Sequence, residues 1–219
     1  MTTTLKIDFV SDIACPWCAV GLGALEGALQ RLAPEVTAEL HFQPFELNPH
    51  MPAGGQDIGE HLTEKYGSTP EQQEQIRAMI RQRGAEVGFS FHPGGRGRVY
   101  NTLDAHRLLH WAGLLGADGP QYALKKALLE AYQGRAECVE SHEVLLAAVA
   151  AAGMELAQAR AILESDQYAD DVRAVERYYQ GAGIHSVPAI IINDRHLISG
   201  GQPVEVFEKA LRHIASGAA

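Results

Sequence analysis

Asp12-Ile13-Ala14-Cys15-Pro16-Trp17-Cys18 joins two segments of different periodicity. Before it, Leu5-Lys6-Ile7-Asp8-Phe9-Val10 is rich in strand-forming residues; after it, Ala19 to Leu32 has the apolar spacing of a helix. Two thiols therefore sit at a strand-to-helix junction. Pro16 is favoured at the first helical position, where its missing N–H would be unpaired anyway. That makes Cys15 the capping residue and puts Cys18 one turn further on, on the same face. A thiolate on Cys15 would meet the unpaired N–H groups and positive dipole end of the helix, both of which lower its pKa. Cys15 is thus expected to be the attacking sulfur. Cys18 is expected to be the resolving thiol that closes on it and releases a mixed disulfide.

A CxxC can also be half of a zinc site, but a closed tetrahedral site needs a second ligand pair of similar spacing. The remaining cysteine, Cys138 in Glu137-Cys138-Val139, is far along the chain and is expected to be unpaired. Redox chemistry is the preferred reading, with no metal; a zinc site or an inert pair are the alternatives.

With 219 residues, 46% of them hydrophobic and 21% charged, the chain has the make-up of an ordinary globular protein. A net charge of −9 argues against a nucleic-acid binder that works by neutralising phosphates. No apolar run approaches bilayer-spanning length, and no secretory signal precedes the first strand, so neither membrane nor export is expected and the reading is cytoplasmic. In a reducing compartment a CxxC is better suited to catalysis than to stapling the fold.

Downstream, Val36 to Phe45 reads as a second strand, and Phe45-Glu46-Leu47-Asn48-Pro49-His50-Met51-Pro52 as an extended crossing. Helical signals follow. Asp57 caps a short helix that Gly67 can close, and Thr69-Pro70-Glu71-Gln72 is a capping box with proline at the first position. Ile76, Met79 and Ile80 share a face of that helix, which Gly84 is expected to stop. Phe89 to Arg98 reads as a loop that either is simply solvated or uses its glycines and arginines to cradle an anion such as a phosphate or carboxylate, or to contact a peptide. Val99 to Leu115 is read as a helix carrying His106 and His110 a turn apart, with Trp111 and Leu114 in the core. Four more helices are expected over Tyr122–Gln133, Ser141–Ala152, Leu156–Leu163 and Tyr168–Gln180, closed by Gly134, Gly153 and Gly181. The period then returns to that of strands: Ala189–Ile192 and His196–Ser199 form a hairpin through Asn193-Asp194-Arg195. A last helix is expected to turn Val206, Phe207, Ala210, Leu211 and Ile214 inward. The chain so divides into 1–50, a helical block at 51–182, and 183–219.

Taken together, Cys15-Pro16-Trp17-Cys18 after the first strand, Ser186-Val187-Pro188 before the third, and a helical insertion between them resemble the thioredoxin superfamily. The chain looks most like its DsbA-like branch, and within it the cytoplasmic FrnE-type dithiol-disulfide oxidoreductases. Weaker family-like stretches are Phe45-Glu46-Leu47-Asn48-Pro49 and Asn101-Thr102-Leu103-Asp104-Ala105-His106. The resemblance implies an α/β thioredoxin fold with a large all-helical insertion. It implies that Pro188 is a cis-proline facing the CxxC and that the backbone of Val187 pairs with an extended substrate. Asp12, Phe45, Asn48, Asn101 and His106 would line a pocket around the supporting Pro16 and Trp17. The implied partners are disulfide-containing proteins or peptides and a thiol reductant such as glutathione. No tightly bound cofactor is expected beyond the redox-active disulfide, with glutathione as a co-substrate.

Two departures bear on the chemistry. Pro16-Trp17 replaces the histidine-containing dipeptide of DsbA itself, so no imidazole supports the Cys15 thiolate. Asp12 would raise the Cys15 pKa if its carboxylate lay close, or else caps the loop. The alternative functions are a glutathione transferase or 2-hydroxychromene-2-carboxylate isomerase-like enzyme, which would need no second cysteine, and a binding or chaperone module with inert thiols.

Overall fold

The computed structural model describes residues 2–116 and 119–217. Strand β1 (Thr3–Ser11), helix α1 (Pro16–Leu32) and strand β2 (Val36–Pro44) open the chain, and β1 and β2 pair in parallel from Thr3↔Val36 to Ser11↔Pro44. A parallel pair needs a crossover, and α1 supplies it. The short strands β3 (Gln56–Asp57) and β4 (Arg98–Val99) pair with each other inside the helical block. At the end of the chain, β5 (Ala189–Ile192) joins the other side of β1 antiparallel and β6 (His196–Ser199) flanks it, giving the order β2-β1-β5-β6. This is the expected thioredoxin-type α/β arrangement with helices inserted between β2 and β5.

The central position of β1 explains its composition. Its first residues alternate between buried and exposed, but from Ile7 onward every residue is buried, because both faces of the sheet are covered there. Ile7 and Phe9 belong to the main core with α1 and the last helix, α9 (Val204–Ala215). Val10 belongs to a second cluster with Phe45, Tyr179, Ile184 and Ala189. The main core continues through Leu108, Leu124, Leu145 and Ile162 of the inserted helices.

Those helices are α2 (Ile58–Tyr66), α3 (Pro70–Glu86), α4 (Leu103–Leu114), α5 (Pro120–Leu129), α6 (His142–Ala151), α7 (Leu156–Leu163) and α8 (Ala169–Gly181), with a π-helical turn at Glu130–Gly134. Local capping places the first two. Asp57 accepts from the N–H groups of Gly59 and Glu60, Gly67 ends α2 in the left-handed region at φ 66°, and Thr69 and Gln72 form a reciprocal capping box.

Several expectations are corrected. Helix α3 runs past Gly84 to Glu86, because Gly84 is a packing site: a Cβ there would lie 2.5 Å from the Phe91 ring. Its buried face is Gln73, Ile80 and Gly84, whereas Ile76 and Met79 are exposed. Helix α4 starts at Leu103, not Val99, since Val99 is drawn into β4 and Asn101 Oδ1 accepts the N–H of Leu103. Leu114 lies on the outer side of the last turn of α4 and is 62% exposed. Helix α8 includes Gly181; the left-handed residue that ends the segment is Gly183, at φ 90°. In α9, Phe207 and Leu211 point inward while Val206 is exposed.

Candidate active site

Cys15 is the N-cap of α1, with extended backbone, and Pro16 occupies the first turn. The N–H of Cys15 donates to Asp12 O and that of Cys18 to Cys15 O, each at 3.1 Å, so the seven-residue junction folds into two consecutive turns. Both thiols are free and buried. The Val187–Pro188 bond is cis, and the Cys15 thiol donates to Val187 O at 3.4 Å. Gly21 makes this approach of elements possible. A Cβ on it would sit 3.1 Å from Pro188 Cγ and 3.4 Å from Gly201 Cα, so a side chain there would push α1 off the Val187–Pro188 segment.

The two sulfurs differ in acidity. The pKa of Cys15 is lowered, first because the Cys18 thiol can donate to its thiolate and then because the N–H groups of Cys18 and Trp17 point at it; burial and the Asp12 charge oppose this. Cys18 is pushed well up, by burial first and then by the Cys15 sulfur, with Lys125 opposing. This is the order needed for one nucleophile and one resolving thiol.

Asp12 lies at the floor, completely buried. Its carboxylate accepts from Ala14 N at 3.0 Å and Leu47 N at 2.8 Å, and His106 Nε2 is 3.5 Å from it. Burial alone would raise its pKa, but His106 and the two backbone donors together bring it below the usual value. Asp12 thus caps the loop, and its charge also works against ionisation of Cys15, so the two alternatives left open for it coexist. His110 is turned elsewhere, with its ring 5.2 Å from that of Tyr168. Among the described residues, no group of three or more His, Cys, Asp or Glu side chains is placed to hold a metal ion.

The other family-like residues scatter. Asn48 Oδ1 accepts from Lys65 Nζ at 2.8 Å, at the edge of the site. Phe45 is buried in the second core cluster, and Asn101 is occupied in starting α4. Trp17 packs over Gly201, where a Cβ would come within 3.0 Å of its carbonyl oxygen. The arginine-bearing loop does not form a free anion cradle as a whole: Arg98 donates to Gly54 O and Gly55 O, while Arg96 Nη1 donates to Ala14 O at 2.5 Å, next to Cys15.

Three features of the surroundings escaped the sequence reading. Lys125 is almost fully buried in α5, where burial lowers its pKa and the charges at Cys18, Asp12 and Cys15 oppose that. Its spacing to Leu128, Leu129 and Tyr132 on the inner stripe was the available signal. Gln133 Nε2 donates to Ile13 O at 2.7 Å, tying the junction to the π-helical turn. Glu46 is buried beside Glu176 and Arg173 of α8, and burial followed by the Glu176 charge pushes its pKa up to about 8. The last contact joins residues far apart in the chain, and no local pattern announces it.

Sheet order, a CxxC at the start of the first helix and a cis-proline segment beside it define a thioredoxin-fold protein of the branch with a helical insertion. The model of the DSBA-like thioredoxin domain matches residues 6–212, and the chain belongs to that family of thiol-disulfide oxidoreductases. A probable DsbA oxidoreductase from Streptomyces coelicolor is 32% identical, with a TM-score of 0.87 over 98% of this chain and 91% of that one. The Bacillus subtilis protein YwbO is 29% identical over 95% of this chain and 96% of its own. The Pseudomonas aeruginosa cytosolic disulfide reductase DsbM, solved with GSH, shares the fold at a TM-score of 0.64 with 17% identity, over 96% of this chain and 99% of that one.

Proposed function

We propose that the chain is a dithiol-disulfide oxidoreductase or isomerase of the FrnE type in which Cys15 is the nucleophile and Cys18 the resolving thiol. The observation that carries this reading is the seating of Cys15: at the mouth of α1, with its thiol on the carbonyl of Val187 and its acidity raised by its neighbour. The Cys15 thiolate attacks one sulfur of a substrate disulfide, the substrate S–S bond breaks, and the second substrate sulfur leaves as a thiolate. Cys18 then gives up its proton and attacks Cys15. The mixed disulfide breaks, the released substrate sulfur takes up a proton, and the Cys15–Cys18 disulfide remains. Two electrons have passed from the protein to the substrate. A thiol reductant returns the protein to the dithiol by the same exchange in reverse, and glutathione suits this role. DsbM, a cytosolic reductase solved with GSH, offers a precedent on the same fold, and a cytoplasmic setting fits reduction or reshuffling.

Two structural details support the division of labour. Lys125 is buried in the same core as Cys18, and its charge opposes the rise in the Cys18 pKa, so it favours charge developing on that sulfur. The backbone at Val187 lies beside the thiol, where an extended peptide can add as a strand and leave its side chains free to vary. Asp12 holds the junction through the N–H groups of Ala14 and Leu47, with the His106 ring 3.5 Å from its carboxylate.

The test is a Cys18→Ser variant given a disulfide peptide. A stable mixed disulfide on Cys15 with turnover lost is the expected result. Unchanged turnover overturns the dithiol mechanism and points to a glutathione-transferase-like use of Cys15 alone. Absence of any adduct, with the fold intact by circular dichroism, points to inert thiols.

A further inference from the structure

We propose that the rim beside Cys15 selects disulfides whose cysteine is flanked by a carboxylate, and that Lys65 and Arg96 read that carboxylate. This rests on the oxidoreductase reading above and adds a substrate class to it.

The chain carries a net charge of −9, and most of its cations are spent on its own carboxylates: Arg31, Arg77, Arg81, Arg135 and Arg173 each form ion pairs. The cations that border Cys15 on the side of the helical block do not. Arg96 gives one N–H to Ala14 O, the carbonyl just before Cys15, and rests its guanidinium 4.9 Å above the Tyr132 ring. Lys65 gives protons to Leu47 O and Asn48 Oδ1, each at 2.8 Å, and lies 5.6 Å from the centre of the Tyr66 ring. All these partners are neutral. Among the described residues no salt bridge includes either cation. A guanidinium has five N–H donors and an ammonium three, so both retain donors for a ligand.

The positions suit one substrate. Ala14 immediately precedes Cys15, and Leu47 donates its N–H to the Asp12 carboxylate, so each cation is anchored on a carbonyl of a segment that builds the thiol junction. Tyr66, 63% exposed, lies against Lys65 as an apolar plate. Its hydroxyl acidity is lowered by burial and by the charge at Cys15 while Arg96 opposes both, which places the ring within electrostatic reach of the sulfur and the guanidinium. His61 is harder to protonate because of burial and then because of Lys65 and Arg96, as expected where cations gather. The nearby carboxylate of Glu64 is engaged by Gln56 Nε2 at 2.7 Å. An extended substrate rises about 3.3 Å per residue, so an acidic side chain next to its cysteine reaches this rim.

A set of disulfide-linked peptide dimers, identical except for Glu, Gln or Lys beside the cysteine, tests the idea, with glutathione disulfide as a small carboxylate-bearing arm. Reduced, intact protein is mixed with each in single turnover, and each rate constant is divided by that of the same peptide with dithiothreitol to remove its intrinsic reactivity. The overall negative field of the protein would favour the Lys peptide; the local rim favours Glu. The expected result is a Glu:Lys ratio of about ten at low salt, narrowing in high salt. Lys65→Met and Arg96→Gln should each cut the ratio about threefold, with Lys65→Arg restoring it. Glutathione disulfide, whose cysteine is followed by a glycine carboxylate, should share the advantage of the Glu peptide; a normalised rate no higher than that of the Gln peptide would count against the proposal. Rates within twofold for the three peptides, or a ratio untouched by both substitutions, overturn the proposal and leave the oxidoreductase reading standing. No reaction with any disulfide, while both thiols remain countable, overturns both.

Discussion

Replacing Glu46 by Gln should remove a pH dependence from the stability of the protein. The Glu46 carboxyl is wedged between Glu176 and Arg173: its backbone N–H donates to Glu176 Oε1 at 2.8 Å, Arg173 Nη1 bonds its Oε1, and its Oε2 has no partner among the described residues. Burial and the Glu176 charge raise its pKa from 4.5 to about 8. In that interval the folded protein holds one proton more than the unfolded chain, so stability falls as pH rises. The contribution is complete below the unfolded value and gone once pH has passed through the folded one. One proton corresponds to about 1.4 kcal/mol per pH unit, which over this interval gives an upper limit near 5 kcal/mol. The Arg173 side chain is 32% exposed, and the screening this admits brings the expected change to about 2–3 kcal/mol. Gln keeps the acceptor for Arg173 and does not titrate. Urea unfolding of the reduced wild type and the variant between pH 5 and 9 isolates the term, because distant groups cancel in the difference. The variant should gain on the wild type steadily up to about pH 8 and hold its lead beyond. Parallel curves would refute the reasoning and mean that Glu46 is ionised throughout.

Lys125→Met removes an amine that is buried at a cost and whose charge lowers the Cys18 pKa. It should leave thermal stability unchanged or raised while lengthening the life of the mixed disulfide, read by quenched-flow trapping; an unchanged resolution rate would dismiss any role for the charge. Gly21→Ala sets a Cβ against Pro188 and Gly201. The gain of about 1 kcal/mol from helix propensity should be outweighed by an overpacking cost of about 1–3 kcal/mol, lowering the unfolding midpoint and the rate of Cys15 alkylation together. A more stable, equally reactive variant would show that α1 has room to move.

Much of the frame was legible because it is written in short-range interactions. Pro16 after Cys15, Asp57 and Thr69 as caps, and the hairpin at Asn193-Asp194 each depend on contacts within a few residues, and each lies where those contacts place it. The alternation and β-branched runs likewise marked β1, β2 and β5. Where a local signal met a distant neighbour, the neighbour decided. Gly84 reads as a helix stop until the Phe91 ring is laid against it, and Val99 reads as helical until Gln56 draws it into a strand pair.

The sequence by itself determined that two thiols would stand one turn apart at the start of a helix behind a buried strand, since capping and periodicity act within that stretch alone. Only the tertiary structure decided what surrounds them. The burial of Lys125, the Glu46–Arg173–Glu176 cluster, the approach of Arg96 to Ala14 and that of Val187 to Cys15 all join residues separated by tens of positions. Such contacts form because the whole core excludes water and brings remote segments together, and that balance of burial and charge has no counterpart in any local pattern.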